Sequence, residues 1–470
     1  MPKYGDQNYK QADFINHELI GEILTKTEVV TESQIASVIE KAKLRNGLSY
    51  EDIAIMLQAT NPDHLKMIYN LAAEIKQSIY GNRVVLFAPL YVSNFCVNNC
   101  VYCGYKRDNK FARRKLTESE IREEVRILES MGHKRIALEA GEDPVNCDID
   151  YIVDTLRIIY DEVSENSNIR RANVNIASTT IENYEKLKAA GIGTYILFQE
   201  TYHKPTYEKM HPKSLKGDYE YHLTAFDRAM QGGLDDVGAG VLFGLSDYRF
   251  EVLALMMHNA HLESNHGVGF HTISVPRLKK AEGMELKEYD YLIDDDTFKK
   301  IVAILRIAVP FTGIILSTRE TKEIRNELLH HGVSQLSAGS CTGVGGYKEN
   351  EMEEEIKQFT ISDERSPLEV IKGLINDGFI PSHCTSCYRM GRTGDRFMSL
   401  AKTGAIQHVC QPNALMTLKE YALDFGDEEL KASVDGFIES QIKKIQRDDI
   451  KSKVIQGLSD LTDGKRDIYL

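Results

Sequence analysis

Apolar positions along the chain follow two periods. Over 32–42, 50–57 and 64–79 they recur at spacings of three and four, the mark of amphipathic helices, with Thr31 and Asn61-Pro62-Asp63 as helix starts. From residue 84 onward, short apolar runs alternate with helical stretches. The strands expected are 84–90, 135–139, 173–177, 194–198, 236–242, 270–275, 313–316 and 334–337. Between them the helical period returns over 118–131, 151–162, 181–189, 219–231, 250–262, 298–307 and 320–330. Strands separated by helices of this length pair in parallel through right-handed crossovers. Eight such units in about 250 residues predict an α/β fold, a TIM-like (β/α)8 barrel. A doubly wound open sheet is the rival, and the regular spacing favours closure. The pattern divides the chain into an N-terminal helical extension (1–80), the barrel (81–347) and a helical C-terminal domain (348–470), which includes a helix at 368–377. An acidic run at 350–355 marks the last boundary as solvated surface.

The 470 residues carry a formal net charge of -13, which disfavours nucleic acid and anionic membranes as partners. No run of 18 apolar residues and no signal-peptide pattern occurs, so a cytoplasmic, non-membrane protein is expected. Six of the eight cysteines fall in two groups, which argues for a metalloprotein in a reducing compartment and against a disulfide scaffold.

The first group, Cys96-Val-Asn-Asn-Cys100-Val-Tyr-Cys103, follows the first strand. Thiolates this close repel one another unless a soft metal absorbs their charge. A structural zinc site closes with a fourth protein ligand, and only His133 lies near in sequence, so a 4Fe-4S cluster with one iron unligated by protein fits better. The second group is Cys384, Cys387 and Cys410. A thioredoxin-type CxxC belongs between a strand and a helix, and no strand is expected there. Zinc held by these three with His383 or His408 is one possibility, and a second cluster with an open iron is the sharper one. Cys147 and Cys341 stand apart as free thiols.

If the barrel closes, the loops after its strands share the face where catalytic groups of this fold lie. Glu142 follows strand two, Glu200 ends strand four, Arg319 follows strand seven and Ser340 strand eight. The Arg319 fork matches a carboxylate bidentately, against the plainer option of an ion pair with Glu320. His271 sits on an apolar strand, where a lone histidine is more often a core residue. The glycines of 238–244 have the wrong spacing for a dinucleotide fingerprint and fit close packing.

The CxxxCxxC loop with Tyr102 before its last cysteine is similar to the signature of radical S-adenosylmethionine (SAM) enzymes. With the second trio, LFQETY (197–202), HTISVPR (271–277), LSTRE (316–320), SAGS (337–340) and CTSCYRMGRTGD (384–395), the chain resembles, from about residue 80 onward, the HydG family of tyrosine lyases that mature the FeFe hydrogenase. The resemblance implies that the open iron of the first cluster, on Cys96, Cys100 and Cys103, chelates SAM. Cleavage of SAM then yields a 5'-deoxyadenosyl radical that abstracts hydrogen from the amino group of L-tyrosine. The Cα–Cβ bond breaks to give p-cresol and dehydroglycine. An auxiliary iron-sulfur cluster on Cys384, Cys387 and Cys410, carrying an additional iron ligated by His271, turns dehydroglycine into carbon monoxide and cyanide for assembly of the hydrogenase cofactor. The resemblance further implies that Glu142 meets the SAM amino group, that Glu200 meets its ribose or a cationic side chain, and that Tyr102 lies on the cofactor. On this reading Arg319 and Ser340 are expected to hold the tyrosine carboxylate, and Arg389 and Arg392 to offset cluster charge. Reduced ferredoxin or flavodoxin as electron donor and other hydrogenase maturation proteins are the implied partners. The 2-iminoacetate synthase of thiamine biosynthesis, which shares the barrel, the substrate and the first cluster but lacks the second trio, is the alternative. Ala140-Gly141-Glu142 stands where the superfamily often has Gly-Gly-Glu, with Gly and Glu retained.

Overall fold

The computed structural model describes residues 12–164, 167–349 and 357–470; the acidic run at 350–355 lies outside the described residues. Four helices open the chain, α1 (His17–Lys26), α2 (Glu32–Lys43), α3 (Tyr50–Leu57) and α4 (Pro62–Tyr80). The start signals act as the sequence suggests. Thr31 and Gln34 form a reciprocal capping box, and the Asn61 side chain accepts from Asp63 N with Pro62 in the first turn. The apolar stripe of α4 then packs on the barrel helix Asp295–Ala308.

Eight parallel strands follow: β1 (Arg83–Ser93), β2 (Arg135–Ala140), β3 (Arg171–Asn175), β4 (Tyr195–Glu200), β5 (Val237–Val241), β6 (Thr272–Ser274), β7 (Gly313–Leu316) and β8 (Gln335–Ser337). The barrel closes where Val85, Leu86 and Phe87 of β1 pair with Gln335, Leu336 and Ser337 of β8. The expected helix over 219–231 divides into Tyr219–Leu223 and Ala225–Gln231. At the break, Thr224 Oγ1 donates back to Glu220 O (2.8 Å) while Arg228 donates to Tyr221 O (2.6 Å), side-chain bonds that compete with the helical ladder.

A ninth strand, β9 (Ile380–Ser382), was not expected. It adds in parallel to Arg83–Val85, before β1 begins to pair with β2 at Ala88. β1 is longer than its apolar run suggested, and its first residues supply the edge that β9 takes. Pro381 suits such a marginal strand. Two short helices, Ser386–Arg389 and Gly394–Lys402, and then the long ones Gln407–Phe425, Glu428–Ile442 and Asp448–Thr462 follow it, and Gln407–Phe425 packs on β9 at the base of the barrel, where its strands begin.

Candidate active site and auxiliary metal centre

At the top of the barrel, β1 runs out at Ser93 into the loop that carries the first three cysteines. That loop is fixed from three sides. Val97 N donates to Glu142 O (2.8 Å), Val101 N donates to Met210 O (3.1 Å), and Asn98 Nδ2 donates to Glu142 Oε2 (2.6 Å). Cys96, Cys100 and Cys103 line one cavity of about 140 Å³ together with Tyr102, Glu142, Glu200 and Arg319. Burial pushes all three thiols up, Cys103 to about 11, so this chain alone does not hold them as thiolates. A cationic cluster bound here would supply the missing charge. Among the described residues no three His, Cys, Asp or Glu side chains are drawn together as they would be about a single ion. Three thiols lining one cavity, with no fourth protein thiol or imidazole among its lining but His222, suit a cluster with an open position.

Gly141 is the residue that lets β2 approach this loop. A Cβ there would stand 2.4 Å from Phe95 O and 3.2 Å from Cys96 Cβ. Gly141→Ala is expected to cost about 1–3 kcal/mol through displacement of the loop. Electron paramagnetic resonance (EPR) of the reduced protein then shows the first cluster depleted with the second retained; equal loading of both in the variant would contradict the role.

Glu200 has a left-handed backbone, φ 67, which is strained for a residue with a side chain. Its Oε1 accepts from Lys216 Nζ at 2.7 Å, so it does find a cationic side chain. Lys216, absent from the sequence-based set, lines the same cavity. The Tyr102 hydroxyl lies 2.7 Å from His211 Nε2, which fixes the ring beside Cys100 and Cys103.

A second cavity continues from the first into the barrel, sharing Glu139, Asn175, Phe198 and Arg319 with it and adding Tyr91, Ser274 and Ser340. Arg319 lies over the Phe359 ring, 3.5 Å from its centroid. Glu320 is occupied elsewhere, by Arg277 at 2.6 Å and Lys279 at 3.3 Å. The Ser340 hydroxyl is buried without a hydrogen-bond partner among the described residues. Arg319 and Ser340 thus face one space.

Glu139, also unforeseen, accepts from Asn175 Nδ2 at 2.7 Å, and burial pushes its carboxyl up to about 8. An unfolded chain ionises this group near pH 4.3. Between those values the folded state holds a proton the unfolded state has lost, so stability falls as pH rises. Glu139→Gln removes that slope. The melting temperature of the variant relative to the natural chain is expected to climb from about pH 5 to about pH 8; a difference flat with pH would show the carboxyl ionised throughout.

The second trio lies at the opposite end. Cys384 follows β9, Cys387 sits in the one-turn helix Ser386–Arg389, and Cys410 reaches in from the first turn of Gln407–Phe425. The expectation that no strand precedes this CxxC is corrected: Ile380–Ser382 does, too short to carry a period of its own. The three cysteines share a small cavity with His271, Tyr388 and Phe397. The adjoining Cys410 thiol, with Arg392 and Arg83, lowers Cys387, while the same hydrogen bond and burial raise Cys410. The donor set therefore fits a thiolate-bound cluster. His271 presents Nε2 at 2.9 Å from the Tyr388 hydroxyl, and its Nδ1 lies 3.5 Å from Asp236 Oδ1. Burial pushes it below its ordinary value, so the imidazole is neutral and has a lone pair to offer. His383 and His408 do not line this cavity; His383 stacks on Tyr421 at 5.3 Å. Arg389 is drawn off to Asp467 (2.5 Å), whereas Arg392 stays near, donating to Ser386 Oγ at 3.1 Å. Cys147 and Cys341 line neither of these cysteine cavities and form no disulfide.

The Radical SAM superfamily matches residues 90–256, and the Biotin and Thiamin Synthesis associated domain matches residues 274–380. The chain is 30% identical over 347 residues to 2-iminoacetate synthase of Salmonella typhimurium, covering 74% of this chain and 89% of that protein. It is 28% identical over 292 residues to the FeFe-hydrogenase maturase subunit HydE of Thermotoga maritima, covering 62% and 77% respectively. Among solved structures it is similar to HydG, a maturase of the FeFe-hydrogenase, with a TM-score of 0.95 and 54% identity, covering 98% of this chain and 100% of that one. HydG from Carboxydothermus hydrogenoformans matches with a TM-score of 0.84 and 38% identity, covering 96% and 100%.

Proposed function

This chain belongs to the HydG family of radical SAM enzymes, and from that premise we propose that it cleaves the Cα–Cβ bond of L-tyrosine at the top of its barrel and converts the two-carbon fragment at the base. The observation that carries this is the pair of three-cysteine sites at opposite ends of one barrel, with His271 at the second. When bound, the first cluster with SAM supplies the 5'-deoxyadenosyl radical, and the auxiliary cluster with its additional iron supplies the chemistry that yields carbon monoxide and cyanide.

The chain's own residues bind and enclose. Glu142, steadied by Asn98, takes the SAM amino group. Glu200, held by Lys216, offers its remaining oxygen to the ribose, and Tyr102 covers the cofactor. Arg319 and Ser340 take the tyrosine carboxylate. Along β1 the inward positions run from Val85 at the lower cavity to Tyr91 at the upper one, roughly 20 Å at 3.3 Å per residue. On this reading dehydroglycine travels that distance inside the barrel, away from the bulk water that would hydrolyse it. Among the described residues no helix is long and apolar enough to cross a membrane. A cytoplasmic site of action, reduced ferredoxin or flavodoxin as donor, and hand-over to other hydrogenase maturation proteins complete the proposal.

The second reading, 2-iminoacetate synthase, draws on the Biotin and Thiamin Synthesis associated domain and on the Salmonella relative. It leaves the lower cysteine site without a task. Anaerobically reconstituted protein with SAM, a reductant and L-tyrosine is expected to form p-cresol in step with 5'-deoxyadenosine, followed by carbon monoxide and cyanide. SAM cleavage without p-cresol would make tyrosine the wrong substrate. p-Cresol with glyoxylate, the hydrolysis product of dehydroglycine, but neither carbon monoxide nor cyanide, would favour the second reading.

A further inference from the structure

β1, β2 and β3 each begin on an arginine: Arg83, Arg135 and Arg171. A charge at the first position of three successive barrel strands puts three guanidinium groups at the base. Arg135 and Arg171 are buried and Arg83 partly so. Two are anchored by some of their nitrogens: Arg135 Nη2 donates to Cys384 O (2.9 Å), and Arg171 donates to Asn173 Oδ1 (2.9 Å) and Thr194 Oγ1 (3.0 Å). Each of the three also keeps a buried nitrogen with no acceptor among the described residues, namely Arg83 Nε, Arg135 Nε and Arg171 Nη1. Leaving a buried charged donor unmet costs more than an ordinary hydrogen bond gains. Two of them, on Arg83 and Arg135, belong to side chains that line one cavity.

The thiolates answer only part of this charge. An iron-sulfur core is itself cationic, so three thiolates leave the cluster weakly anionic. Asp236, the carboxylate beside His271, lies 4.0 Å from Arg171. Arg83 and Arg135 line the same cavity as the three cysteines and His271, while the Tyr388 ring separates Arg171 from it.

We propose that Arg83 and Arg135 form a receptor for the carboxylate of a two-carbon 2-imino or 2-oxo acid, with Arg171 behind Tyr388 adding to the field. The inference rests on the tyrosine-lyase reading for the source of that acid, dehydroglycine. The receptor holds the acid by its charged end, so its imine carbon and nitrogen face the cysteine site. Phe397, Tyr388 and Val85 close the cavity around it, which excludes tyrosine itself. The guanidinium fork suits a planar carboxylate in a way an ammonium does not.

Oxamate, a stable planar two-carbon acid, is the binding probe. In reconstituted natural protein it is expected to perturb the EPR signal of the reduced auxiliary cluster saturably. In Arg135→Gln and Arg83→Gln the half-saturating concentration rises at least about tenfold, and Arg135→Lys recovers little of it. During tyrosine turnover the cyanide formed per p-cresol falls about fivefold or more in the glutamine variants, with a matching rise in glyoxylate released per p-cresol. Iron content and the unperturbed EPR signal identify variants that load both clusters; Arg135→Lys stands in if Arg135→Gln does not. Unchanged oxamate affinity and unchanged cyanide per p-cresol in loaded variants overturn the receptor. Absence of p-cresol from natural protein overturns the tyrosine-lyase reading instead, and the oxamate titration still decides the receptor.

Discussion

Replacing Cys384 and Cys387 together by serine is expected to abolish carbon monoxide formation, by at least about a hundredfold, while p-cresol continues to appear. Serine oxygens are hard, weakly acidic ligands where a soft thiolate is required, so the auxiliary cluster does not assemble. The first three cysteines are held by a different loop at the other end of the barrel, through contacts with Glu142 and Met210 that the change does not touch. EPR of the reduced variant should show one cluster signal. Carbon monoxide at the natural level would mean that the lower site takes no part in making it. Joint loss of p-cresol and carbon monoxide in a folded variant that still loads its first cluster would mean that the ends are coupled, against the division of labour proposed.

The second large effect is on substrate binding. Arg319→Ala should lower kcat/KM for tyrosine by roughly 100- to 1,000-fold, about 3–4 kcal/mol, as expected when one partner of a desolvated charge pair is removed. Among the described residues Arg319 forms no ion pair, and Glu320 is taken by Arg277 and Lys279. It lies over the Phe359 ring, with Tyr91, Glu139 and Glu200 lining the same space. Arg319→Lys should recover part of the loss, since an ammonium keeps the charge without the fork. 5'-Deoxyadenosine formation without tyrosine should persist in both variants. An unchanged KM for tyrosine would place the carboxylate elsewhere and leave Arg319 as a packing partner of Phe359.

Several parts of this site were legible in the chain because they are local. Three cysteines within eight residues point to a soft metal centre, and a strand-helix period repeated eight times announces the barrel that the structure shows. The positions of Glu142, Glu200, Arg319 and Ser340 after their strands followed from that topology, and the structure brings Glu142, Glu200 and Arg319 to one cavity, with Ser340 in the adjoining space. The glycine at 141 reads as motif in the sequence and as necessity only once Phe95 O stands 2.4 Å from its missing Cβ.

What the chain did not disclose depends on contacts distant in sequence. Ile380–Ser382 is too short for any period, and only pairing with Arg83–Val85, almost three hundred residues earlier, makes it a strand. That pairing, with the packing of Gln407–Phe425 against the same strand, puts the second trio at the base of the barrel, where Cys384 shares a cavity with His271. Lys216 is an unremarkable lysine until a bend returns it to Glu200. Glu139 alternates properly along β2, but burial in the barrel is what protonates it. Arg83, Arg135 and Arg171 look like separate strand starts until barrel closure gathers them. Local composition thus determined which chemistry the chain carries, because ligand type and periodicity are properties of neighbouring residues. Tertiary structure decided where that chemistry takes place and which charges surround it, because burial and long-range pairing exist only in the folded chain.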